Sequence, residues 1–428
     1  MGSGRPVVLL LGMLDSKGPA LRFVRDRLRE HGVEAVLVDA SYRPHAEPGA
    51  DVPNADVARA AGTDLAAVAA LDRNGAAAPM ARGAAAVAAE HFGRGRCHGV
   101  LALGGANGTL LASAAMAGLP VGLPKLVVSA VGLAGAERFV AAPDVAVFPA
   151  VGDIRLNRIT ARVFENAAAS MAGMARAYAA RREPAAGARR PLVGLTVFGV
   201  TDAAARRAAA RLEGAGFEVI EFHANGAGGR TLEALAGRGE LDAVLDLTTT
   251  ELMDEVAGGV WSAGPARLEA AGAAGIPQVV VPGAVDVVNL WADAVRPEHR
   301  GRGLYRYNVS NLLMRSNPEE NRRLGALVAR KVAAARGPVR VLVPRRGFSR
   351  LDGPEGPATH DAAGAPRGPW NDREANAAFC EALRAALPPG RVEEVDLHIL
   401  DPAFADLAAD AMISLLRSRP GPDTLAPA

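Results

Sequence analysis

Short aliphatic runs alternate with helical periods along almost the whole chain. In the first half, Pro6–Leu11 reads PVVLLL, and apolar residues recur at helical spacing within Gly18–Arg29. In the second half, Leu192–Phe198 is followed in the same way by the helical pattern of Ala203–Gly214. Short buried strands separated by helices are typical of parallel sheets that are covered by helices on both faces. The pattern therefore predicts a doubly wound α/β fold in each half.

A charged segment rich in alanine, proline and glycine separates the two halves. Asn157–Tyr178 is predicted to be a long helix, and no apolar period continues through Arg181–Arg190. Domain boundaries usually fall in exposed segments of this composition, and 428 residues are too many for one ordinary core. We therefore predict a first domain over residues 1–182, a linker over 183–190 and a second domain over 191–428.

Charge, hydropathy and cysteine content exclude several classes of protein. The 48 basic and 46 acidic side chains nearly cancel, so no strong field favours nucleic acid or an anionic membrane. No apolar run approaches the roughly 20 residues that span a bilayer, and the first run is too short for a signal peptide. Cys97 and Cys380 lie far apart without a CxxC spacing, so neither a disulfide framework nor a thiolate zinc site is predicted. We expect a cytoplasmic protein.

Two glycine-containing turns follow predicted strands in the first half. Leu11–Gly18 reads LGMLDSKG, and Leu103–Thr109 reads LGGANGT. At the carboxyl end of a parallel strand, such a turn lets backbone amides approach a ligand, and the helix that follows favours anions. Two such turns of one sheet can flank the same crevice. Neither turn matches a Walker loop or a GxGxxG pattern, so roles in capping and tight packing stay open.

Individual residues of these turns suit phosphate chemistry. Lys17 can neutralise a phosphate or remain a solvated charge, and Asp15 can cap the helix or hold a water of Mg²⁺. The Thr109 hydroxyl is placed to bind phosphate or the helix amides. The glycines of the second turn permit close approach of a ligand or of another backbone; they are Gly104, Gly105 and Gly108.

Polar residues also follow several predicted strands of the second half. Arg230 suits a carboxylate or phosphate, His223 can move a proton or serve a structural role, and Glu251 and Asp286 lie in similar positions after strands. Strand ends converge on a ligand crevice in open sheets, so we expect these residues to lie near one another.

The segment Gly347–Pro369 is dense in glycine and proline, and it is predicted to be a long irregular loop. His360 within it, and His398 with Asp401 after the last strand, are further candidates for acid–base chemistry or metal binding. Histidines scattered this widely do not form a zinc signature, so no bound transition metal is predicted.

The motifs together resemble a known family. The matching stretches include LGMLDSKGP, LALGGANGT, LDLTTTEL and HILDPAFAD, and they extend over nearly the whole chain. The family is an ATP-binding family typified by the tomato mosaic virus resistance protein, and its bacterial members are mostly uncharacterised. The resemblance implies two Rossmann-like αβα domains with mainly parallel sheets, ATP with Mg²⁺ in the first domain, and a homo-oligomer of two or more copies.

The resemblance also implies which residues contact the nucleotide. Asn107 stands where the family is expected to have a glycine, and it is kept among the candidates because it lies in the same turn. The nucleotide candidates are Gly12, Asp15, Lys17, Gly18, Gly104, Gly105, Asn107, Gly108 and Thr109.

The leading functional hypothesis is an ATP-dependent enzyme of the ligase or transferase type. It would activate a small carboxylate or hydroxylated metabolite in the interdomain cleft, with 191–428 as the substrate domain. The catalytic candidates are His223, Arg230, Glu251, Asp286 and His360. One alternative is a hydrolase or lyase that uses the second-domain residues, with ATP as a regulator. Another is a nucleotide-responsive binding protein that catalyses no reaction. In all three cases we expect no nucleic acid or membrane partner.

Overall fold

The computed structural model describes residues 4–132, 135, 144–181, 189–388 and 390–418. The chain divides into two compact units, Met1–Pro184 and Ala185–Ala428. Most of the predicted linker 183–190 lies outside the described residues. Among the described residues, no helix is both long and apolar enough to cross a membrane.

The first unit is built on one parallel sheet. Its strands are β1 (Val7–Gly12), β2 (Glu34–Asp39), β3 (Gly99–Gly104), β4 (Lys125–Ser129) and β5 (Ala146–Pro149). Its described helices are α1 (Leu14–Glu30), α2 (Asn54–Ala60), α3 (Leu65–Ala69), α4 (Arg73–Gly93), α5 (Ala106–Ala117) and α6 (Thr160–Ala180). The strand order is β2-β1-β3-β4-β5, and every neighbouring pair is parallel.

Helices cover both faces of this sheet, which explains why its strands read as continuous aliphatic runs. Successive residues of β1 point to opposite faces. Leu9 joins a buried cluster with Met80 and Leu111 on one face. Leu10 joins another with Leu21 and Phe164 on the other face.

The second unit holds a larger parallel sheet. Its strands are β6 (Leu192–Val197), β7 (Glu218–His223), β8 (Ala243–Thr248), β9 (Gln278–Gly283), β13 (Val339–Pro344) and β16 (Val392–Val395). The described α-helices of the unit are α7 (Asp202–Gly214), α8 (Ala227–Gly237), α9 (Thr250–Ala257), α10 (Ala270–Ala274), α11 (Pro318–Ala333), α12 (Arg373–Ala386) and α13 (Pro402–Arg417). The strand order is β16-β13-β9-β8-β6-β7. The predicted α/β class, with two mainly parallel sheets flanked by helices, is confirmed.

An antiparallel sheet in the second unit was not predicted. Its strands are β10 (Val287–Trp291), β11 (Leu304–Arg306), β12 (Asn311–Arg315), β14 (Ala358–His360) and β15 (Pro366–Pro369), in the order β10-β12-β11-β14-β15. The prediction of an irregular loop over Gly347–Pro369 is therefore wrong, because this segment contains a hairpin. All four residues of β15 are exposed, so no apolar alternation marks the strand in the sequence.

The antiparallel sheet packs over several carboxyl ends of the second parallel sheet. A buried apolar cluster joins Phe198, after β6, and Ala284, after β9, to Val287, Leu313 and Trp370. These ends of the parallel strands are closed by side chains of the protein itself.

Candidate functional site

The first cavity lies where β1 and β3 end, at the point where the strand order of the first sheet reverses. Ligands of open α/β sheets bind outside the carboxyl ends of the strands at such points. The cavity has a volume of about 480 Å³, which is within the range of small-molecule sites. Its walls come from the start of α1, the Leu103–Gly108 turn, Arg73 and Asp153. The structure thus brings both glycine-containing turns to one cavity.

Helix α5 begins at this cavity without a side chain to cap it. Gly105 is its N-cap residue and offers no side-chain acceptor. In the described part of the chain, no group accepts a hydrogen bond from the next three backbone amides, those of Ala106, Asn107 and Gly108. The first bonded amide is that of Thr109, which donates to the Gly105 carbonyl at 2.8 Å. Unpaired amides and the helix dipole together favour an anion here.

The start of α5 also lies unusually close to the end of β3. A Cβ atom added to Gly104 would lie 2.5 Å from the Cα atom of Gly108. Glycine at position 104 is therefore required by the close approach of the two backbones, whereas a Cβ atom on Gly105 would meet no atom within 4 Å.

Two cations and one carboxylate face the first cavity. The Lys17 ammonium donates to both carboxylate oxygens of Asp153, at 3.0 and 3.1 Å. This hydrogen bond is the largest cause of the lowered pKa of Asp153. Arg73 forms no ion pair with any described residue. Positive charge therefore lies beside the unpaired amides of α5.

The start of α1 differs from that of α5 because its first amides are already bonded. The Leu14 amide donates to Asp39 at 3.1 Å, and the Asp15 amide donates to the Ser41 hydroxyl at 3.1 Å. The helix begins at Leu14 rather than at Gly18 as predicted, so Asp15 and the following residues lie on the helix and not in a loop. A buried carboxylate thus occupies the position that an anion would take at α1.

Four nucleotide candidates do not line the first cavity, and three of them line neither it nor the smaller cavity beside it. Gly12 ends β1 and packs against Leu21, and Gly18 is buried on α1. Thr109 is fully buried, and its hydroxyl bonds the Ser129 hydroxyl at 2.8 Å. The Thr109 hydroxyl is therefore used inside the protein and is not directed at the cavity.

A smaller cavity of about 230 Å³ adjoins the first one. Met13, Ser16 and Arg73 line both cavities, and the exposed Asp15 lines only the smaller one. The rest of its wall combines apolar, aromatic and charged side chains: Tyr42, Arg43, Val68, Leu71, Asp72 and Ala76.

The five catalytic candidates of the second unit do not form one site. His223 at the end of β7, Arg230 on α8 and His360 on β14 are exposed. Glu251 and Asp286 are fully buried. None of the five lines the large cavity of this unit. Of the expected proximity of the polar strand ends, the structure shows one part: Glu251 accepts hydrogen bonds from the Gly226 and Gly229 amides, which lie between His223 and Arg230 in the sequence.

Glu251 belongs to a buried ionic network around Arg267. The guanidinium of Arg267 donates to both oxygens of Asp246 at 2.5 and 2.6 Å, to Glu251 at 2.7 Å and to Glu233 at 3.2 Å. The second oxygen of Glu251 accepts hydrogen bonds from two backbone amides at the start of α8. Both oxygens are thus engaged, so Glu251 joins α8 to α9, and its interpretation as a catalytic carboxylate does not fit this geometry.

Asp286 is also a structural carboxyl group. One of its oxygens accepts hydrogen bonds from the Ser349 hydroxyl at 2.6 Å and the Trp370 indole at 2.7 Å. Burial, followed by the nearby charge of Asp352, raises the pKa of Asp286. The group is enclosed by side chains and has no exposed surface, so a substrate cannot reach it in this structure.

Burial has a similar effect on Asp254, whose pKa it raises to about 7. This carboxyl accepts hydrogen bonds from the backbone and side chain of Asn289 and from the Trp261 amide. It thereby attaches α9 to β10.

The large cavity of the second unit has a volume of about 1,090 Å³ and lies beyond the ends of β13 and β16. His398 and Asp401, which the sequence marks as candidates, line it. Cys380 also lines it, and burial raises the pKa of this thiol to about 11. The most distinctive members of the lining are five arginines that the sequence reasoning missed: Arg345, Arg346, Arg350, Arg373 and Arg384.

One sequence signal for this cavity was available. Arg345 and Arg346 lie one residue beyond the predicted strand Val339–Val343, and the glycine-rich segment comes next. Among the described residues there is no group of three or more His, Cys, Asp or Glu side chains that is able to hold a metal ion.

Two family models match the chain over both units. The N-terminal domain of the Uncharacterised protein family (UPF0261) matches residues 6–180, and the C-terminal domain of the same family matches residues 190–416.

Similar proteins occur in bacteria and in a plant. A UPF0261 protein of Clostridium tetani is 34% identical over 414 residues, which cover 96% of this chain and 98% of the relative. A UPF0261 protein of Rhizobium meliloti is 37% identical over 418 residues, which cover 94% of this chain and 98% of the relative. The ToMV resistance protein Tm-1(GCR237) of Solanum lycopersicum is 31% identical over 436 residues, which cover 96% of this chain but 56% of the tomato protein.

Proposed function

The chain belongs to the uncharacterised protein family UPF0261, and we propose that its first unit binds the phosphates of ATP at the start of α5. In this proposal the protein uses ATP to activate a small carboxylate or hydroxylated metabolite by phosphoryl or adenylyl transfer. The observation that supports it most strongly is the uncapped first turn of α5, which faces a cavity that also contains Lys17 and Arg73.

A phosphate group would supply the hydrogen-bond acceptors that the unpaired amides of α5 lack. The unpaired amides of Ala106, Asn107 and Gly108 are three donors at one helix end, and a phosphate offers several acceptor oxygens to such a helix start. Lys17 and Arg73 add positive charge to the wall of the same cavity. Hydrogen bonds between a charged and a neutral group contribute about 1.5–3 kcal/mol each, so a few of them suffice for binding.

The start of α1 would take a different part in binding. Its Leu14 amide is bonded to Asp39, and the negative charge of that carboxylate would repel a phosphate at this position. The phosphates would therefore lie against α5, and α1 would contribute the Lys17 ammonium.

The smaller cavity would hold the nucleoside. Val68, Leu71 and Tyr42 provide apolar and aromatic surface for a base. Asp15 and Asp72 provide carboxylates that can accept hydrogen bonds from ribose hydroxyls. Because the two cavities share lining residues, a single nucleotide would occupy both.

A Mg²⁺ ion fits this arrangement if the phosphates supply part of its ligands. Mg²⁺ in phosphate-binding sites usually takes one or two carboxylates, with phosphate oxygens and water completing the octahedron. Asp153 is the carboxylate of the first cavity, and its lowered pKa keeps it ionised. When bound, the ion would neutralise charge on the phosphates, while Lys17 would hold Asp153 in position.

The proposal can be tested by filling the N-cap position of α5. In Gly105→Asp, the new carboxylate would bond the α5 amides and repel phosphate, while helix capping would stabilise the protein by only a few tenths of a kcal/mol. Gly105→Ala is the matched control, because its methyl group has space and cannot accept a hydrogen bond. Calorimetric titration of ATP, with and without Mg²⁺, should give wild-type affinity within a few-fold for Gly105→Ala. The affinity of Gly105→Asp should be at least about tenfold lower.

Equal ATP affinity in Gly105→Asp and the wild type would disprove binding at α5, and so would the absence of ATP binding by the wild type. The reaction is tested separately by measuring ATP consumption in the presence of pooled carboxylates and hydroxylated metabolites. Tight binding without consumption by any pool would instead favour a nucleotide-responsive binding protein.

A further inference from the structure

We propose that the large cavity of the second unit binds a small molecule that carries two or more carboxylate or phosphate groups. We name it the arginine cavity, after the five arginines in its wall: Arg345, Arg346, Arg350, Arg373 and Arg384. This site is independent of the proposed nucleotide site, because every residue that lines it belongs to the second unit.

The arginine cavity lies where an α/β sheet ordinarily binds its ligand. It opens beyond the carboxyl ends of β13 and β16, and ligands of open parallel sheets bind outside such ends. The ends of β6 and β9 are covered by the apolar cluster that contains Phe198 and Ala284. In the second unit, the antiparallel sheet thus closes one part of the usual ligand edge, and the part with the arginines stays open.

Three of the five arginines in the wall form ion pairs with carboxylates of the protein. Arg346 makes a two-pronged bond to Asp396, at 3.1 and 2.8 Å. Arg345 and Arg384 share the single carboxylate of Glu394, at 3.8 and 3.4 Å.

Arg350 and Arg373 have no ion pair with any described residue, although both line the cavity. Two unpaired guanidinium groups in one wall suit two anionic groups of one ligand, because each guanidinium can bind a carboxylate or a phosphate in a two-pronged manner.

His398 adds a neutral donor to the same wall. Its Nδ1 atom accepts a hydrogen bond from the Leu400 backbone amide at 3.1 Å, so the ring proton is on Nε2. A Cβ atom on Gly347 would lie 2.6 Å from Nε2 and 1.9 Å from the Asp352 carbonyl oxygen. Gly347 also has a φ of +151°. A glycine at this position therefore allows the imidazole to lie against the loop, with Nε2 free of any described partner.

The loop that carries Arg350 is held in place before any ligand arrives. The Asp352 carboxylate accepts hydrogen bonds from the Phe348 amide at 3.0 Å, from Asn371 at 3.0 Å and from Asn376 at 2.7 Å. A wall that is already ordered loses less conformational entropy on binding.

Glu355 narrows the class of ligand. It lines the cavity and has no ion pair with a described residue. A carboxylate would repel a further anionic group but accept a hydrogen bond from a hydroxyl group. The chemistry of the wall thus points to a hydroxylated polyanion, either a hydroxy-polycarboxylate or a phosphorylated hydroxy compound.

The test uses citrate and inorganic pyrophosphate as probes of the two anion chemistries, each titrated calorimetrically into the full chain. We expect the wild type to bind at least one probe. Arg350→Gln/Arg373→Gln should lower the affinity at least about tenfold, because it removes two charged donors. Both residues are exposed and lack ion pairs, so this variant should fold. Arg323→Gln is the matched control, since Arg323 is exposed on α11 outside the cavity.

Two further variants distinguish binding in the arginine cavity from binding in the first unit and from a general effect of charge. His398→Asn keeps an acceptor for the Leu400 amide but loses the Nε2 donor, so it should also weaken binding. Gly105→Asp should bind citrate as the wild type does, and any pyrophosphate binding that it alone loses belongs to the proposed α5 site.

Three results would overturn the proposal. These are no binding of either probe at millimolar concentration, an equal loss of affinity in Arg323→Gln, and a loss in Gly105→Asp without one in the double variant.

Discussion

The guanidinium of Arg267 lies fully buried between three carboxylates in the second unit. Each carboxylate comes from a different element, since Asp246 is on β8, Glu233 on α8 and Glu251 on α9. Burying charges is costly unless they are paired and hydrogen-bonded. The sequence marked Glu251 as catalytic because it follows a strand, and only the position of Arg267, 16 residues further along, reveals its structural role.

Arg267→Met is expected to destabilise the second unit by about 3–5 kcal/mol, because it leaves buried carboxylates without their cation. The free energy of unfolding in urea measures this change. Arg323→Met serves as the control, since Arg323 is exposed on α11 and its loss should change the stability by less than about 0.5 kcal/mol. A change of that small size in Arg267→Met would show that the network contributes no net stability.

Local pattern predicts the parallel strands well and the helix starts less well. β4 and β16 begin and end where the sequence predicts. Helix α1 begins at Leu14 rather than Gly18, since its first amide is bonded by Asp39 from β2. A local sequence pattern does not indicate a hydrogen-bond partner that lies 25 residues away.

The two candidate sites also differ in how far the sequence predicts them. The two glycine turns meet because β1 and β3 are neighbours, which the α/β pattern makes a reasonable expectation. The arginine cavity collects residues from several segments between Arg345 and Asp401. Which of its arginines are unpaired depends on ion pairs that no sequence spacing indicates.

The join between β3 and α5 allows a prediction about the packing of these two elements. Gly104→Ala would place a methyl group 2.5 Å from the Gly108 Cα atom, so the first turn of α5 must move away from the strand. Overpacking of this kind costs about 1–3 kcal/mol. We expect lower stability in urea and weaker ATP binding, whereas Gly105→Ala, whose methyl group has space, should cost less than about 1 kcal/mol of stability and keep ATP affinity within a few-fold of the wild type. Unaltered stability in Gly104→Ala would mean that the backbone at this join adapts at little cost.

The two units share a sheet topology but differ in which part of the ligand edge stays open. In the first unit, the cavity lies where the strand order reverses, between β1 and β3. In the second, the equivalent position between β6 and β8 lies under the apolar cluster of the antiparallel sheet. The large cavity lies instead beyond β13 and β16. In the described part of the chain, each unit thus has its own cavity with cationic side chains in the wall.

Separate cavities predict separate ligand effects on thermal unfolding of the whole protein. A ligand at a hundredfold excess over its Kd stabilises the folded state by about 2.7 kcal/mol, which corresponds to a rise in Tm of about 5–10 °C for a unit of this size. Differential scanning calorimetry should show that Gly105→Asp loses the shift caused by ATP and keeps the shift caused by the anion that binds the arginine cavity. Arg350→Gln/Arg373→Gln should show the reverse pattern. If either variant lost both shifts, the two anions would share one site, and the assignment of one ligand to each unit would be wrong.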